Sequence, residues 1–312
     1  MRIALVLTPI SDHHLRLASQ IGVTDIVSRY PGTVLNPLLA LRDRVASFGM
    51  KLSIVEGYIP HDKIVHGKPG RDEQIADFQK LIRNMGEAGV PICCYNWMPS
   101  DDWTRTAVDI PERGGAVVTG FDASQDREPP APKGEAIEER SLWANLSYFL
   151  ERVVPITEEV GVKLAMHPDD PPMSPFRGHA QIMSKVESFE RLMELAPSSA
   201  NGICFCQGTF AEMGADISAT IRQFARHIHY VHFRDVVGTV PNFRESFHDN
   251  GKTNMFEAMR VYYECGIGVP ARPDHVPTLD GESNEHPGYH MLGRLFAAGY
   301  MRGLMQAAEQ IK

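Results

Sequence analysis

No stretch of this 312-residue chain reaches the roughly 18 consecutive apolar residues of a membrane helix, so no spanning segment and no membrane partner are expected. Positive charge is in deficit: 31 Lys and Arg stand against 39 Asp and Glu, a formal net charge of −8. Phosphate contacts need a cationic face, which argues against a nucleic-acid partner. Cysteine is scarce, with Cys93, Cys94, Cys204, Cys206 and Cys265 forming no spaced framework. That usage suits a reducing compartment, and a cytoplasmic location is expected. The opening MRIALVLTPI lacks a small-residue cleavage site before Asp12, His13 and His14, so it reads as a buried strand rather than a signal peptide. No Gly-x-Gly-x-x-Gly follows it, which counts against a doubly wound dinucleotide-binding sheet. Low-complexity tracts are also missing.

What is present is a repeating alternation. Hydrophobic residues make up 43% of the chain, enough at this length to build a core without disulfides or a structural metal. Eight short apolar runs span 3–7, 24–27, 51–55, 90–94, 162–166, 202–205, 229–232 and 268–271. Their near-continuous hydrophobicity suits parallel strands covered on both faces. Helix-like stretches lie at 37–47, 71–88, 139–160, 180–196, 211–227, 253–265 and 290–308. In 71–88, Ile75, Phe78, Ile82 and Met85 recur on one face. The alternation predicts an α/β fold, a (β/α)8 TIM barrel in a single domain over residues 1–312. Turn-formers and charge at about 100–135 predict a long loop after the fourth strand. A second irregular stretch is expected at about 238–252.

In such a barrel the active site lies at the C-terminal ends of the strands. The fifth run ends at His167 in MHPDDPP, the sixth at Cys206 in GICFCQG, the seventh at His232 in YVHFRD and the eighth near Asp274 in ARPDH. Neighbouring strands lie about 4.8 Å apart, so side chains from four successive ends can meet on one ion. The intervals of 39, 26 and 42 residues are each one strand–helix unit, unlike zinc-finger spacing. Two imidazoles, a thiolate and a carboxylate suit Mn, Fe, Co, Zn or Ni, whereas Ca and Mg want more oxygen. Each residue alone has a blander reading: a half-buried histidine, a small buried thiol or a helix cap. Their equivalent placement favours a metal site. Cys204 shares a strand face with Cys206 and is a rival ligand.

Other polar residues gather at the same rim. Asn96 ends the fourth run, Asp169 and Asp170 follow His167, and Arg234 and Asp235 follow His232. Arg272 precedes Asp274 and His275 follows it; Glu245 and His248 lie in the loop after the seventh strand. Asn96, Asp170, Arg234, His248 and Arg272 are the expected substrate contacts. Arg272 or Arg105 offers a fork for a substrate carboxylate, against a plain ion-pair role. Trp97, Trp103, Cys93, Cys94 and Cys265 read as packing residues, as do Met291, Leu295 and Phe296 of the last helix.

The stretches CYNWMPSDDWTRT, MHPDDPP, GICFCQGT, VHFRD, FRESFHDNG, RPDH and PGYHMLGRLFAAGYMRGLMQA together resemble the mannonate dehydratase family of hexuronate degradation. The resemblance runs from about residue 75 to the C-terminus and implies a xylose-isomerase-like barrel. It implies a divalent metal, usually manganese, on His167, Cys206, His232 and Asp274, and proton transfer by His275 and Tyr289. The chain departs from the family where an Arg-Trp-Tyr-Gly on the first strand becomes Leu5–Leu7 and Thr8. It departs again where Gly-Asp-x-Asp-Met becomes Gly251, Lys252, Thr253, Asn254 and Met255. Both changes are expected to touch the substrate.

The implied reaction is loss of water from a sugar acid such as D-mannonate, giving 2-keto-3-deoxygluconate. A Lewis-acidic metal would withdraw charge from the carboxylate while one group takes the C2 proton and another protonates the C3 hydroxyl. His275 and Tyr289 are the candidates, in either order. Rival readings are a sugar isomerase or epimerase, a metal-dependent phosphoesterase and a metal-binding barrel without turnover. Isomerases of this kind favour carboxylate-rich sites, and Glu56 is the one obvious carboxylate at the other strand ends. A homodimer is a candidate assembly that no sequence feature selects.

Overall fold

Each of the eight apolar runs contributes a barrel strand, and in seven of these strands neighbouring residues face two different cores. The protein was analysed as a computed structural model that describes residues 1–100, 103–132 and 134–311. Asp101 and Asp102 of the CYNWMPSDDWTRT stretch, and Lys133, fall outside the described residues. In chain order the strands are β1 (Arg2–Val6), β2 (Asp25–Ser28), β3 (Lys51–Glu56), β4 (Ile92–Tyr95), β5 (Ala107–Pro111), β6 (Val117–Asp122), β7 (Lys163–Met166), β8 (Ile203–Cys206), β9 (Ile228–His232), β10 (Val236–Thr239), β11 (Asn242–Glu245) and β12 (Pro270–Arg272). The helices are α1 (Asp12–Gln20), α2 (Leu35–Ala46), α3 (Asp62–His66), α4 (Arg71–Ala88), α5 (Glu139–Val160), α6 (Val186–Leu195), α7 (Gln207–Glu212), α8 (Ile217–Phe224), α9 (Met255–Glu264) and α10 (Met291–Glu309).

Eight strands close into a parallel barrel in the order β1-β12-β9-β8-β7-β4-β3-β2. Ala4, Val6, Val27, Ile54, Ile92, Cys94, Ala165, Cys204 and Tyr230 form one buried cluster, which fills the lumen. Their neighbours in sequence, such as Ile3, Leu5, Ile26, Val55, Cys93, Leu164, Phe205 and Val231, belong to the larger core under the helices. This two-sided burial explains why the runs read as continuously apolar.

The helices α4 and α5 span the residues expected of them. The stretch 211–227 instead divides into α7 and α8, because Asp216 caps a new helix by accepting from the Ala219 N–H at 3.0 Å. Residues 180–185 stay outside α6, where the Met183 N–H donates to Asp169 at 2.8 Å. Helix α1 lies outside the stretches read from sequence, although Ser11 caps it by accepting from the His14 N–H.

The two expected loops are not irregular. Strands β5 and β6 from the first, and β10 and β11 from the second, pair antiparallel in the order β10-β11-β6-β5. The pairing Phe243↔Phe121 joins segments more than a hundred residues apart, which local periodicity cannot reveal. This accessory sheet carries Glu245, at the end of β11, toward the mouth of the barrel.

Between barrel and helices, Phe149 of α5 packs on Phe78, Tyr95 and Trp97 at centroid distances of 5.0, 5.7 and 5.3 Å. Phe149→Ala is expected to cost about 3–5 kcal/mol in denaturant unfolding, with a smaller loss for Phe149→Leu. A loss under about 1 kcal/mol for the alanine variant would mean that this aromatic cluster does not anchor α5 to the barrel.

Candidate metal centre and active site

The barrel places β7, β8, β9 and β12 side by side, so the residues at their ends become neighbours. Cys206 is in register with His232, and His232 with Arg272. His167 follows β7. Asp274 lies two residues beyond β12 and adopts φ 60°, a left-handed backbone that Asp tolerates better than most residues. One ligand atom from each of His167, Cys206, His232 and Asp274 lies within 4.8 Å of all the others. His167 Nε2 is 3.1 Å from His232 Nδ1, and Asp274 Oδ2 is 3.5 Å from His232 Nδ1 and 3.6 Å from Cys206 Sγ. Tetrahedral ligands at metal bonds of about 2.0–2.3 Å lie roughly 3.3–3.8 Å apart, so the donors are spaced to fit one divalent ion.

The surrounding bonds orient these donors. His167 Nδ1 donates to the Pro168 carbonyl at 2.6 Å, which leaves Nε2 with its lone pair toward the cluster. His232 Nε2 lies 3.0 Å from Arg272 Nε and 3.3 Å from Glu56, which leaves Nδ1 turned inward. Thr209 donates to Cys206 Sγ at 3.1 Å. Burial opposes charge on Asp274 and Glu56, yet Arg272 and His232 hold both carboxylates well below their ordinary range. Burial pushes the His167 imidazole down, toward the neutral form a metal ligand needs. His232 moves up: Asp274 and Glu56 outweigh burial and Arg272.

Cys204 stands one level deeper. With Cys94 and His232 it forms a second close group of possible ligands, inside the apolar lumen. Burial pushes its thiol well above the ordinary range, and Cys94 adds to the shift. A group that resists becoming a thiolate is a poor metal ligand.

Beside the cluster opens a cavity of about 830 Å³, lined in part by Arg29, Glu56, Tyr58, Asn96, Trp103, Arg272, His275, Glu285, His286 and Tyr289. His275 Nε2 is 3.0 Å from the Tyr289 hydroxyl, and Trp103 packs on the His275 ring at 4.9 Å. Burial favours the neutral form of both: it lowers His275 against the pull of Asp274 and Glu245, and it raises Tyr289 against Arg29.

The expected substrate contacts divide. Asn96, Asp170 and Arg272 line the cavity. Arg272, however, turns Nε and Nη2 to Glu56 at 3.1 and 2.6 Å and Nη1 to Asp274 at 2.7 Å, so its bidentate edge is occupied. Arg234 and His248 are corrections. Neither lines the cavity: Arg234 is fully buried among carboxylates, and His248 bonds the Pro273 carbonyl at 2.7 Å behind Asp274. Arg105 is likewise buried in ion pairs with Asp170 and Glu245. Nor does the cavity touch 251–255. There Asp235 accepts from Thr253, Lys252 donates to the Ala211 and Gly238 carbonyls, and Asn254 caps α9. A side chain at Gly251 would place its Cβ 2.2 Å from Asp235, so the backbone here packs closely on that carboxylate.

Arg29 escaped the sequence reading. It follows β2 and donates to Glu56 at 3.3 Å, with its guanidinium 5.3 Å from the rings of both Tyr58 and Tyr289. The strand-end rule applied to the second strand would have found it.

Comparison with known proteins places the chain among relatives of one family. The D-mannonate dehydratase (UxuA) family model matches residues 9–132 and 131–312. Mannonate dehydratase 2 of Halalkalibacterium halodurans is 34% identical over 301 residues, covering 86% of each chain. The mannonate dehydratase of Thermotoga maritima is 34% identical over 312 residues, 88% of this chain and 86% of that one. The crystal structure of the mannonate dehydratase from Streptococcus suis serotype 2 superposes with a TM-score of 0.92 at 31% identity, covering 100% of this chain and 95% of that one. A xylose isomerase domain protein of Planctomyces limnophilus, at TM-score 0.63 and 12% identity, shares the fold and shows the barrel to be xylose-isomerase-like.

Cys206 groups with His167, His232 and Asp274 at the strand ends, whereas Cys204 groups with Cys94 and His232 in the lumen. Cys206→Ala is expected to weaken metal binding by more than the roughly 10–100-fold typical of outer-shell changes. Cys204→Ala should leave it unchanged, as read by elemental analysis after dialysis against a graded chelator. The opposite ranking would move the ion into the lumen.

Proposed function

The chain belongs to the D-mannonate dehydratase family, a family of hydro-lyases, and from that premise we propose that it converts D-mannonate to 2-keto-3-deoxy-D-gluconate and water in the cytoplasm, as a step of hexuronate degradation. The observation that carries this reading is the meeting, in one cavity, of a four-donor cluster and a hydrogen-bonded His275–Tyr289 pair.

His167, Cys206, His232 and Asp274 would hold the divalent ion, and the family resemblance favours manganese over Fe, Co, Zn or Ni. When bound, the ion supplies Lewis acidity that lowers the cost of negative charge on the substrate carboxylate. The protein contributes the rest. Arg272 and Arg29 place guanidinium groups in the cavity wall, each paired with Glu56, where a substrate carboxylate held by the ion would lie near them. Asn96 offers an amide to hydroxyl groups at the opposite side of the mouth, where His61 already shares its oxygen at 3.1 Å. His275 and Tyr289 move the protons: one leaves C2 and one joins the departing C3 hydroxyl. Trp103 shields the pair.

Incubation with Mn²⁺ and a panel of aldonates should yield a 2-keto-3-deoxy acid from D-mannonate, whereas an epimerase would yield none. His275→Asn should keep its metal and lose about 10²–10⁴-fold in kcat. Keto-acid formation from no aldonate would overturn the assignment, and wild-type turnover in His275→Asn would remove that residue from the chemistry.

A further inference from the structure

The accessory sheet ends on a carboxylate whose surroundings are unusual for a structural ion pair. Glu245 is 2% exposed. Its Oε1 accepts from Arg105 Nη2 at 2.6 Å and its Oε2 from Arg234 Nη1 at 3.1 Å. The remaining close partner is His275, whose Nδ1 lies 3.0 Å from Oε1. Burial opposes the charge, but Arg234, His275 and Arg105 hold this carboxylate well below the ordinary range. An ionised carboxylate accepts hydrogen bonds and donates none. The hydrogen between the two groups therefore sits on Nδ1. A neutral imidazole protonated there has its lone pair on Nε2, and Nε2 is the atom facing the Tyr289 hydroxyl at 3.0 Å.

We propose that Glu245 is a positioning residue: by fixing His275 as the Nδ1–H tautomer it makes Tyr289 donate to His275, and so makes Tyr289 the base and His275 its proton store. This rests on the reading of His275 and Tyr289 as the proton-transfer pair. The oxygen of Tyr289 takes the C2 proton while its own proton passes to His275 Nε2, and the C2–H electron pair delocalises into the substrate carboxylate. The imidazolium so formed is paired with Glu245. As the C3–O bond breaks, His275 Nε2 gives its proton to the leaving oxygen, and water and the enol of the product result. Tyr289 and His275 end as they began. Trp103, packed against the His275 ring and itself under the Arg105 guanidinium at 4.9 Å, limits the room for the imidazole to swing away from this chain.

The test reads the tautomer directly. In histidine-¹⁵N-labelled enzyme loaded with diamagnetic Zn²⁺, the His275 ring is identified by the signals that vanish in His275→Asn. The wild type should be protonated at Nδ1. In Glu245→Gln the single tautomer should be lost and an Nε2–H form appear, with kcat lower by about 10²–10⁴-fold while KM and bound metal stay near wild type. A purely structural role would lower folded protein or metal content without changing the tautomer. An Nε2–H His275 in the wild type, or a wild-type kcat in Glu245→Gln, would overturn the proposal, and the first of these does not depend on the folding of Glu245→Gln. Full turnover in His275→Asn would instead overturn the proton-transfer reading beneath it. An inactive His275→Asn beside a fully active Glu245→Gln would overturn the positioning role alone.

Discussion

The guanidinium of Arg234 is the point on which the site turns. Fully buried, it donates to Asp274 and Asp170 at 2.7 Å, Glu212 at 2.7 Å, Glu245 at 3.1 Å and Thr209 at 3.0 Å. These acceptors come from segments following β7 and β8, from the end of β11 and from beyond β12. A buried cation is costly unless closely paired, and carboxylates crowded this tightly repel one another without it. Arg105 supplies the second positive charge, at Asp170 and Glu245. Together the two arginines let acidic groups converge beside a metal cluster in a dry interior. Close approach is part of the design, since a side chain at Gly208 would put its Cβ 2.4 Å from Arg234.

Much of the barrel was legible because parallel strands buried on both faces leave an unbroken apolar signature, and because one rule about strand ends converts that signature into a site. The rule points to His167, Cys206, His232 and Asp274, whose ligand atoms the barrel brings within 4.8 Å of one another. It could not tell which way a following residue turns. Arg234 and His248 stand two and three positions from strand ends or site residues, yet one points into a salt-bridge lattice and the other behind Asp274. Strands β5, β6, β10 and β11 were invisible for a different reason. They are four to six residues long, partly exposed and paired across inserts far apart in sequence. The signal that could have exposed Glu245 is its partnership with His275, and that is tertiary.

Charge at the mouth of the barrel is held in pairs. Arg29 and Arg272 share the cavity lining with Glu56, Asp170, Asp274 and Glu285, in a chain that is acidic overall. Glu56 mediates between the halves of the site. It accepts from Arg272, Arg29 and the Tyr230 hydroxyl while facing His232. A carboxylate so placed fixes a cluster imidazole and an arginine of the cavity wall at once.

The left-handed backbone at Asp274 has a consequence for which sequences can build this centre. A residue with a longer or β-branched side chain would carry a backbone penalty of about 1–2 kcal/mol at φ 60°, before any question of reach arises. Asn could adopt the turn but would bring no negative charge, and Gly would bring no donor at all. Asp joins a tolerated torsion to a charged oxygen donor, so a substitution at this position answers at once to the backbone and to the donor set.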